Sequence, residues 1–326
     1  MRKKHFLFAS VLALLCSSST LHAQDFKLTS SGYFKNQGVD VMAFDDIYPE
    51  GHQGGVCIIM NGHRVATNGD IRLEATPGQW QPVPKQLDRK LGDNSITATL
   101  CYPDSSRHLT GFNPMIYPDL HLIYTVNVES KGKNIEVTVD LDRPIPQEFI
   151  GKVGFNLEFF PGSLFGKPWI MDGQSGIFPQ QPNSPLMTTQ PNYLHTGNYH
   201  DGKKSLADMD KLIGKGYSPI VADDIISEPY AKGTKFTSRP DDPYNKVTIE
   251  SLSGDLQLFD GRMNHNNGWF VLRSNIKPGV TKGAVKWIIT PNVVADWMYQ
   301  PVIQTSQIGY HPTQDKEAVI EMDIRD

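Results

Sequence analysis

The sequence is poor in cysteine, and after its first two dozen residues it has no long hydrophobic run. Three cysteines occur in 326 residues and none forms a Cys-x-x-Cys pair, which argues against a structural zinc site. The sequence has no phosphate loop, dinucleotide fingerprint or Gly-x-Ser-x-Gly elbow. Lysine and arginine are scattered and the net charge is −4, so no basic stripe for a nucleic-acid partner is present.

Residues 1–23 have the pattern of a signal peptide. A positively charged start (residues 2–4) precedes an apolar core (residues 6–16) and a cleavage site after Ala23. The core is shorter than the roughly twenty residues that cross a bilayer, so no transmembrane segment is predicted. Leucine, and no small residue, precedes Cys16, which argues against lipidation. We expect an exported protein, periplasmic or extracellular.

The mature chain then contains two cysteines, Cys57 and Cys101. Export permits a disulfide between them. Both lie in apolar, strand-like runs, which favours buried free thiols. A disulfide stays the alternative at this stage.

Hydrophobic periodicity predicts strands throughout. Residues 120–129 and 135–141 alternate around Gly132, as expected for a half-buried antiparallel hairpin. Asn68-Gly69, between two further strand-like runs, predicts a second hairpin. About a dozen short strands occur without helix–strand alternation, so the predicted fold is all-β, a large antiparallel β-sandwich.

Residues 162–240 interrupt this pattern. They are dense in proline, glycine, asparagine and glutamine, and only residues 206–213 could form a short helix. A long irregular stretch in a compact domain is usually a functional loop or a cover over a sheet. We therefore predict one long irregular loop region within the sandwich.

The end of the sequence carries a resemblance to a known family. A turn and a short strand in residues 302–322 are similar to the opening of the immunoglobulin-like (Ig-like) module that precedes the catalytic barrel in glycoside hydrolase family 9. The matching residues are Ser306, Gln307, Gly309, Tyr310, Pro312, Lys316, Ala318 and Val319. Residues 54–85 and 155–172 also resemble the N-terminal, supersandwich-like domain of some family 9 enzymes. After the signal peptide (1–23), the resemblance implies a β-sandwich (24–301) and the start of a truncated Ig-like module (302–326).

The resemblance also implies where catalysis takes place. Family 9 enzymes use aspartates and a glutamate on a barrel of paired helices, with an Asp-Ala-Gly-Asp element that this sequence lacks. No catalytic residue is therefore assigned, and the active site is expected in a missing C-terminal catalytic domain. The expected function is a non-catalytic accessory portion of a secreted, cellulase-like enzyme, with a β-glucan-like polysaccharide or oligosaccharide as partner and no cofactor.

Four residues are candidates for carbohydrate binding. Flat aromatic rings beside polar side chains suit the apolar faces and hydroxyl rims of sugars, although tryptophans also commonly pack in cores. The candidates are Trp80, Trp169, Asp172 and Trp269.

Two other functions remain open. One is a stand-alone glycan-binding or surface protein. The other is a mutarotase-like carbohydrate enzyme that uses His195 or His200 with Glu158, a carboxylate that either faces solvent or lies in a concave sheet with a raised pKa. Asp241-Asp242 with Asn245 offers oxygen ligands but lacks the spacing of a calcium loop, so no metal site is predicted.

Overall fold

The computed structural model describes residues 25–45, 54–74, 77, 84–102, 120–182, 187–189, 225–263 and 268–322. These residues form strands and a few short 3-10 helices. The strands are β1 Lys27–Leu28, β2 Phe34–Asn36, β3 Val39–Ala43, β4 Val56–Met60, β5 His63–Leu73, β6 Lys85–Leu91, β7 Ser95–Tyr102, β8 Leu122–Lys131, β9 Asn134–Leu141, β10 Val153–Phe159, β11 Pro168–Met171, β12 Gln174–Ile177, β13 Met187–Thr189, β14 Ile225–Ser227, β15 Ala231–Gly233, β16 Lys235–Ser238, β17 Val247–Ser251, β18 Leu256–Asp260, β19 Phe270–Asn275, β20 Val285–Pro291, β21 Val302–Thr305 and β22 Ala318–Glu321.

Two antiparallel sheets of nine strands each contain most of these elements. The first sheet has the order β1-β2-β3-β4-β5-β10-β19-β18-β15, and the second has the order β12-β11-β16-β17-β20-β9-β8-β7-β6. Two further pairs, β13–β14 and β21–β22, form small sheets of their own. The predicted all-β fold with large antiparallel sheets is confirmed.

The second sheet buries one face. In β7, β8 and β9 every second residue is buried, and the intervening residues are partly or fully exposed. The predicted β8–β9 hairpin is present, and Gly132 takes the left-handed conformation at its turn with a φ of 66°. Period-two alternation therefore gave both the strands and their buried face.

Aromatic side chains fill the space between the sheets. Phe155 on β10 meets Trp287 on β20 edge to face, with ring centroids 5.0 Å apart. Phe159 meets Phe236 on β16 in a similar way at 5.8 Å. Truncating one fully buried aromatic side chain of this kind costs about 3–5 kcal/mol, so these contacts hold the two sheets together.

The centre of the first sheet is buried on both faces. Every residue of β10 is buried, and so are the last nine residues of β5. One side of these strands is apolar and packs on the second sheet, whereas the other carries charged and amide side chains. Buried charges require partners, which explains the ion-pair network described below.

The prediction of a hairpin at Asn68-Gly69 is wrong. Strand β5 continues through both residues, and they form a bulge opposite Leu157, where the β10 register shifts between Asn156 and Glu158. Asn68 has a φ of 55°. The left-handed preference that favours a hairpin turn also suits the first residue of a bulge, so the dipeptide alone does not distinguish the two.

The predicted irregular region is more regular than expected. Its described residues include β11, β12, β15 and β16, which extend both sheets. Each of these strands has only three or four residues, which is too short for a period-two pattern to stand out in the sequence. The predicted helix at 206–213 lies outside the described residues.

The last described residues form the β21–β22 hairpin. All eight strand residues are exposed, and Gly309 turns with a φ of 81°. Ser306 N donates to the Tyr310 hydroxyl at 3.2 Å, and that hydroxyl donates to the Glu317 carbonyl. The division into a sandwich and an Ig-like module stays a prediction.

Both cysteines of the described chain are free. Cys57 lies on β4 of the first sheet and is buried, whereas Cys101 lies on β7 of the second sheet and is partly buried. The free-thiol prediction is therefore confirmed over the disulfide. Residues 1–24 lie outside the described chain, and no helix in the described part has the length and apolar character needed to cross a membrane.

Candidate functional site

An open cleft lies at one end of the sandwich, where chain segments of both sheets meet. It has a volume of about 450 Å³, within the range of small-molecule sites. The residues that line it are His63, Arg64, Val65, Phe160, Ser163, Arg239 and Asn245. Strand β5 begins at His63 and its antiparallel neighbour β10 ends at Phe159, so these residues come to the same end of the first sheet.

The opposite wall is the loop between β16 and β17. It is fixed by hydrogen bonds of its own backbone and by the neighbouring strand: Arg239 N donates to Pro168 O at 3.0 Å, and Asp242 N donates to Arg239 O at 3.0 Å. Asn292 Nδ2 donates to Pro243 O at 2.7 Å. Arg239 has a φ of 51°. This left-handed conformation is strained for a residue that carries a Cβ, and the surrounding hydrogen bonds hold the backbone in it.

Arg239 is the most constrained cation of the cleft. Its side chain is 13% exposed and is ion-paired with Asp242 through Nη2. Its Nε is buried and makes no hydrogen bond within the described chain. A cavity of about 10 Å³, the size of one water molecule, is lined by Arg239 together with Ser163, Ser238 and Asn245.

The carboxylate of Asp242 accepts hydrogen bonds from within its own loop. Burial opposes ionisation, but bonds from Asn245 and from the Tyr244 backbone, with the charge of Arg239, hold the pKa of Asp242 below its usual value. Of the Asp241, Asp242 and Asn245 side chains considered as oxygen ligands, Asp242 instead stabilises the turn, where it accepts a bond from Asn245 Nδ2. Among the described residues, no group of three or more histidine, cysteine or acidic side chains is placed to hold a metal ion.

Phe160 and Val65 form the apolar part of the described cleft lining. Phe160 lies in the wall and contacts Trp269 edge to face, with ring centroids 4.4 Å apart. Both residues are partly buried. The cleft thus combines an aromatic wall with amide, hydroxyl and guanidinium groups.

A charged network lies apart from the cleft, on the polar side of the first sheet. Arg273 donates through Nη1 to Glu74 Oε1 and to Asn156 Oδ1, both at 3.1 Å. Its remaining donors bind the carbonyls of Glu74 and Lys152 and the side chain of Asn275. All five guanidinium N–H groups are thereby used. Burial raises the pKa of Glu74 to about 7, against the opposing charge of Arg273.

A second buried carboxylate joins the two sheets. Tyr124 on β8 donates to Asp70 Oδ1 at 2.8 Å, and Arg72 lies 3.6 Å from Asp70 Oδ2. Burial raises the pKa of Asp70 to about 6, and Arg72 opposes this. Burial also raises the pKa of Tyr124 well above its usual value, so its hydroxyl stays a donor.

A third ion pair, between Arg262 and Asp260, also binds the backbone of residues 179 and 180. Arg262 binds the buried Asp260 through Nε and Nη2, both at 2.8 Å, and its Nη1 and Nη2 also donate to Gln180 O and Pro179 O. Its guanidinium lies 4.4 Å from the Phe270 ring centre. These contacts satisfy the guanidinium within the protein, which indicates a structural role.

The structure separates the sequence-predicted site residues. Trp169 is 6% exposed and lies against Gly176, where an added Cβ would come within 2.5 Å of the indole. Asp172, at the other end of β11, is exposed, and a bond from the Thr234 backbone foremost lowers its pKa. Trp269 contacts the cleft residue Phe160. Trp80 lies outside the described residues, and the binding role of all four stays a prediction.

The other candidates are placed only in part. Glu158 is 3% exposed and accepts a hydrogen bond from Asn68 Nδ2 at 2.6 Å. His195 and His200 lie outside the described residues. The lining residues His63, Arg64, Phe160 and Arg239 were missed, because they are scattered over some 180 positions and no local motif links them.

Comparisons with known proteins add little. No family model and no curated protein matches the sequence. A galactose mutarotase related enzyme from Lactobacillus acidophilus is a similar solved structure, at 12% identity and a TM-score of 0.34, covering 79% of this chain and 96% of that chain. The Slr1438 protein from Synechocystis sp. PCC 6803 has 10% identity and a TM-score of 0.33, with coverages of 82% and 96%. Likeness at this level assigns no substrate and no site residue, and the family 9 resemblance stays a prediction.

Proposed function

We propose that the chain is a non-catalytic, carbohydrate-binding β-sandwich, the accessory portion of a secreted polysaccharide-degrading enzyme of glycoside hydrolase family 9 type. The observation that carries the proposal is the open cleft between the two sheets. Its aromatic wall of Phe160, backed by Trp269, faces polar groups from Ser163 and Asn245. An aromatic surface with hydrogen-bonding groups at its rim matches the apolar face and hydroxyl edge of a sugar ring.

The charges of the cleft support binding over hydrolysis. Glycoside hydrolysis requires two carboxyl groups on either side of the scissile bond, about 5–10 Å apart. None of the described residues that line the cleft is acidic. The buried carboxylates of Glu74 and Asp260 are bound to Arg273 and Arg262 instead. The described lining therefore has groups for holding a glycan but no acid–base pair for cleaving it.

The C-terminal hairpin supports the family 9 part of the proposal. The residues that carry the resemblance also build the turn, since Gly309 takes the left-handed conformation and Tyr310 ties Ser306 to Glu317. The proposal places the catalytic barrel in a further part of the protein.

Affinity electrophoresis tests this function. The purified chain is run through gels that contain mixed-linkage β-glucan, hydroxyethyl cellulose or polygalacturonate. We expect retardation by at least one polysaccharide and its loss in Phe160→Ala, with no change in Leu87→Ala, an exposed apolar side chain on the distant strand β6. A reducing-end assay runs in parallel. Unretarded wild-type protein, or hydrolysis by this chain, contradicts the proposal.

One observation favours a second function, that of a mutarotase-like enzyme. Burial raises the pKa of Glu74 to about 7, and the charge of Glu158 adds to this rise. A carboxyl group that titrates near neutral pH suits proton transfer. Polarimetry of freshly dissolved α-D-galactose tests it: faster mutarotation that Glu74→Gln abolishes would support this function, and a rate equal to that of buffer would remove it.

A further inference from the structure

The cleft has a marked imbalance of charge. Among the described residues that line it, His63, Arg64 and Arg239 are basic and none is acidic. Asp242 is near, but its carboxylate is turned to Arg239, Asn245 and the Tyr244 backbone. A cleft with basic walls raises the local concentration of anions.

From this arrangement we propose that the cleft binds a sugar with an anionic substituent, either a uronate carboxylate or a sulfate ester. The inference rests on the carbohydrate-binding function proposed above and adds the class of sugar. A guanidinium presents several N–H donors in one plane, which match the two oxygens of a carboxylate or two oxygens of a sulfate. The aromatic wall at Phe160 takes the ring, and the basic groups take its charged substituent.

Arg239 is the side chain best placed to recognise the anion. The backbone bond to Pro168 and the ion pair with Asp242 fix its guanidinium before any ligand arrives. Arg239 lines the cleft and its side chain is 13% exposed, so a ligand can reach part of the guanidinium although its Nε is buried. A fixed cation loses little conformational entropy on binding, which increases the affinity for a correctly placed anion.

The described residues that line the cleft favour an acidic glycan over a neutral one. A neutral sugar forms no charge-assisted bond with the guanidinium groups of Arg64 and Arg239, whereas an acidic sugar does. Such bonds are weakened by salt when they lie at the surface. The affinity is therefore expected to depend on the ligand charge and on ionic strength.

Isothermal titration calorimetry with charge-matched ligands tests the inference. Trigalacturonate is compared with its methyl ester, which has the same rings without the charge, and a sulfated galactan oligosaccharide is compared with its desulfated form. We expect the acidic member of one pair to bind at least roughly tenfold more tightly at low salt, since hydrogen bonds to a charged group are stronger than those between neutral groups. Preference in the first pair identifies the carboxylate, and preference in the second identifies the sulfate.

Substitutions of cleft residues test whether the acidic ligand binds in the cleft. Arg239→Gln is expected to weaken the preferred acidic ligand by roughly tenfold to a hundredfold. The matched control is Arg89→Gln: Arg89 is 16% exposed, pairs with Asp45, and lies six strands away from β16 in the second sheet. His63 is exposed, so His63→Gln tests the same cleft without disturbing the packing around Arg239.

Each outcome decides between the two levels of the proposal. Equal affinity for the acidic and neutral members of both pairs, with binding lost in Phe160→Ala, refutes the anionic class and leaves the glycan-binding function intact. Acid-selective binding that neither Arg239→Gln nor His63→Gln weakens places the site elsewhere and also refutes the inference. If no glycan of either charge binds, both proposals fail.

Discussion

Gly154 on β10 lies diagonally across from Arg273 on the neighbouring strand β19, and a Cβ at Gly154 would come within 2.8 Å of Arg273 Nε. The same Cβ would come within 2.8 Å of the Ser274 carbonyl oxygen, which is backbone. Glycine at this position therefore makes room for a fully buried guanidinium. The ion-pair network of the first sheet depends on that space.

Gly154→Ala should therefore destabilise the protein by about 1–3 kcal/mol, because the added methyl group displaces the guanidinium and strains the sheet. Chemical denaturation measures the change. Gly162→Ala is the matched control, since no atom lies within 4 Å of the corresponding Cβ. Equal stability of the two variants would show that Arg273 tolerates the methyl group.

Tyr124→Phe should cost about 1–3 kcal/mol, because it removes the hydroxyl that donates to Asp70 Oδ1 in a fully buried site. The ring keeps its packing, so the loss reports the hydrogen bond. Tyr244→Phe, at an exposed side chain, should change stability by less than about 0.5 kcal/mol. Thermal and chemical unfolding of both variants provide the measurement.

The pH dependence of stability should run opposite to that of a protein held by exposed ion pairs. The folded-state pKa values of Asp70, about 6, and Glu74, about 7, lie above their ordinary values of 3.8 and 4.5. The folded state therefore binds more protons than the unfolded state between those limits, and stability is lost as pH rises. We expect the free energy of unfolding to fall by on the order of 2–4 kcal/mol from pH 4.5 to pH 7.5.

A variant at Glu74 tests whether this residue causes the fall of stability with rising pH. Glu74→Gln keeps an oxygen for Asn156 and Arg273 but cannot titrate, so it should flatten the upper part of the profile, between about pH 5.5 and 7.5. Carboxylates with lowered pKa values, such as Asp140, contribute in the opposite direction at lower pH. Stability that rises steadily to pH 7.5 in the wild-type protein would contradict the raised pKa values.

Thiol chemistry should distinguish the two cysteines. Without prior reduction, alkylation of the denatured protein should label both Cys57 and Cys101, because both are free. In the native protein Cys101 should react faster, since Cys57 is fully buried and lies 3.1 Å from Thr67 Oγ1. Mass spectrometry after timed labelling measures both rates. Labelling only after reduction would instead indicate a disulfide.

Much of the fold was predictable from local patterns. Alternation in β8 and β9 gave the strands, their turn at Gly132 and their buried face, because period two is a property of the backbone itself. The turn signal at Asn68-Gly69 was misleading, because there the left-handed residue Asn68 forms a bulge and not a hairpin turn. Strands β11 and β12 were missed, because strands of four residues are too short for a period to appear.

The candidate site was predictable only in its chemistry. Trp269 was selected for its ring and polar neighbours, and it does contact the cleft residue Phe160. His63, Phe160 and Arg239 come from three separate parts of the chain, so no spacing in the sequence connects them. Only the pairing of β5 with β10, and of β16 with β17, brings their ends to one place.

By itself, the sequence determined that the chain is all-β, which strand faces are apolar, and that its cysteines lie in hydrophobic strands, because these properties depend on neighbours along the chain. The tertiary structure decided the strand order, the bulge that places Asn68 beside Glu158, and the space at Gly154 that admits Arg273. These features depend on contacts between residues far apart in sequence. Such contacts are fixed by packing and by the pairing of buried charges, which local periodicity does not encode.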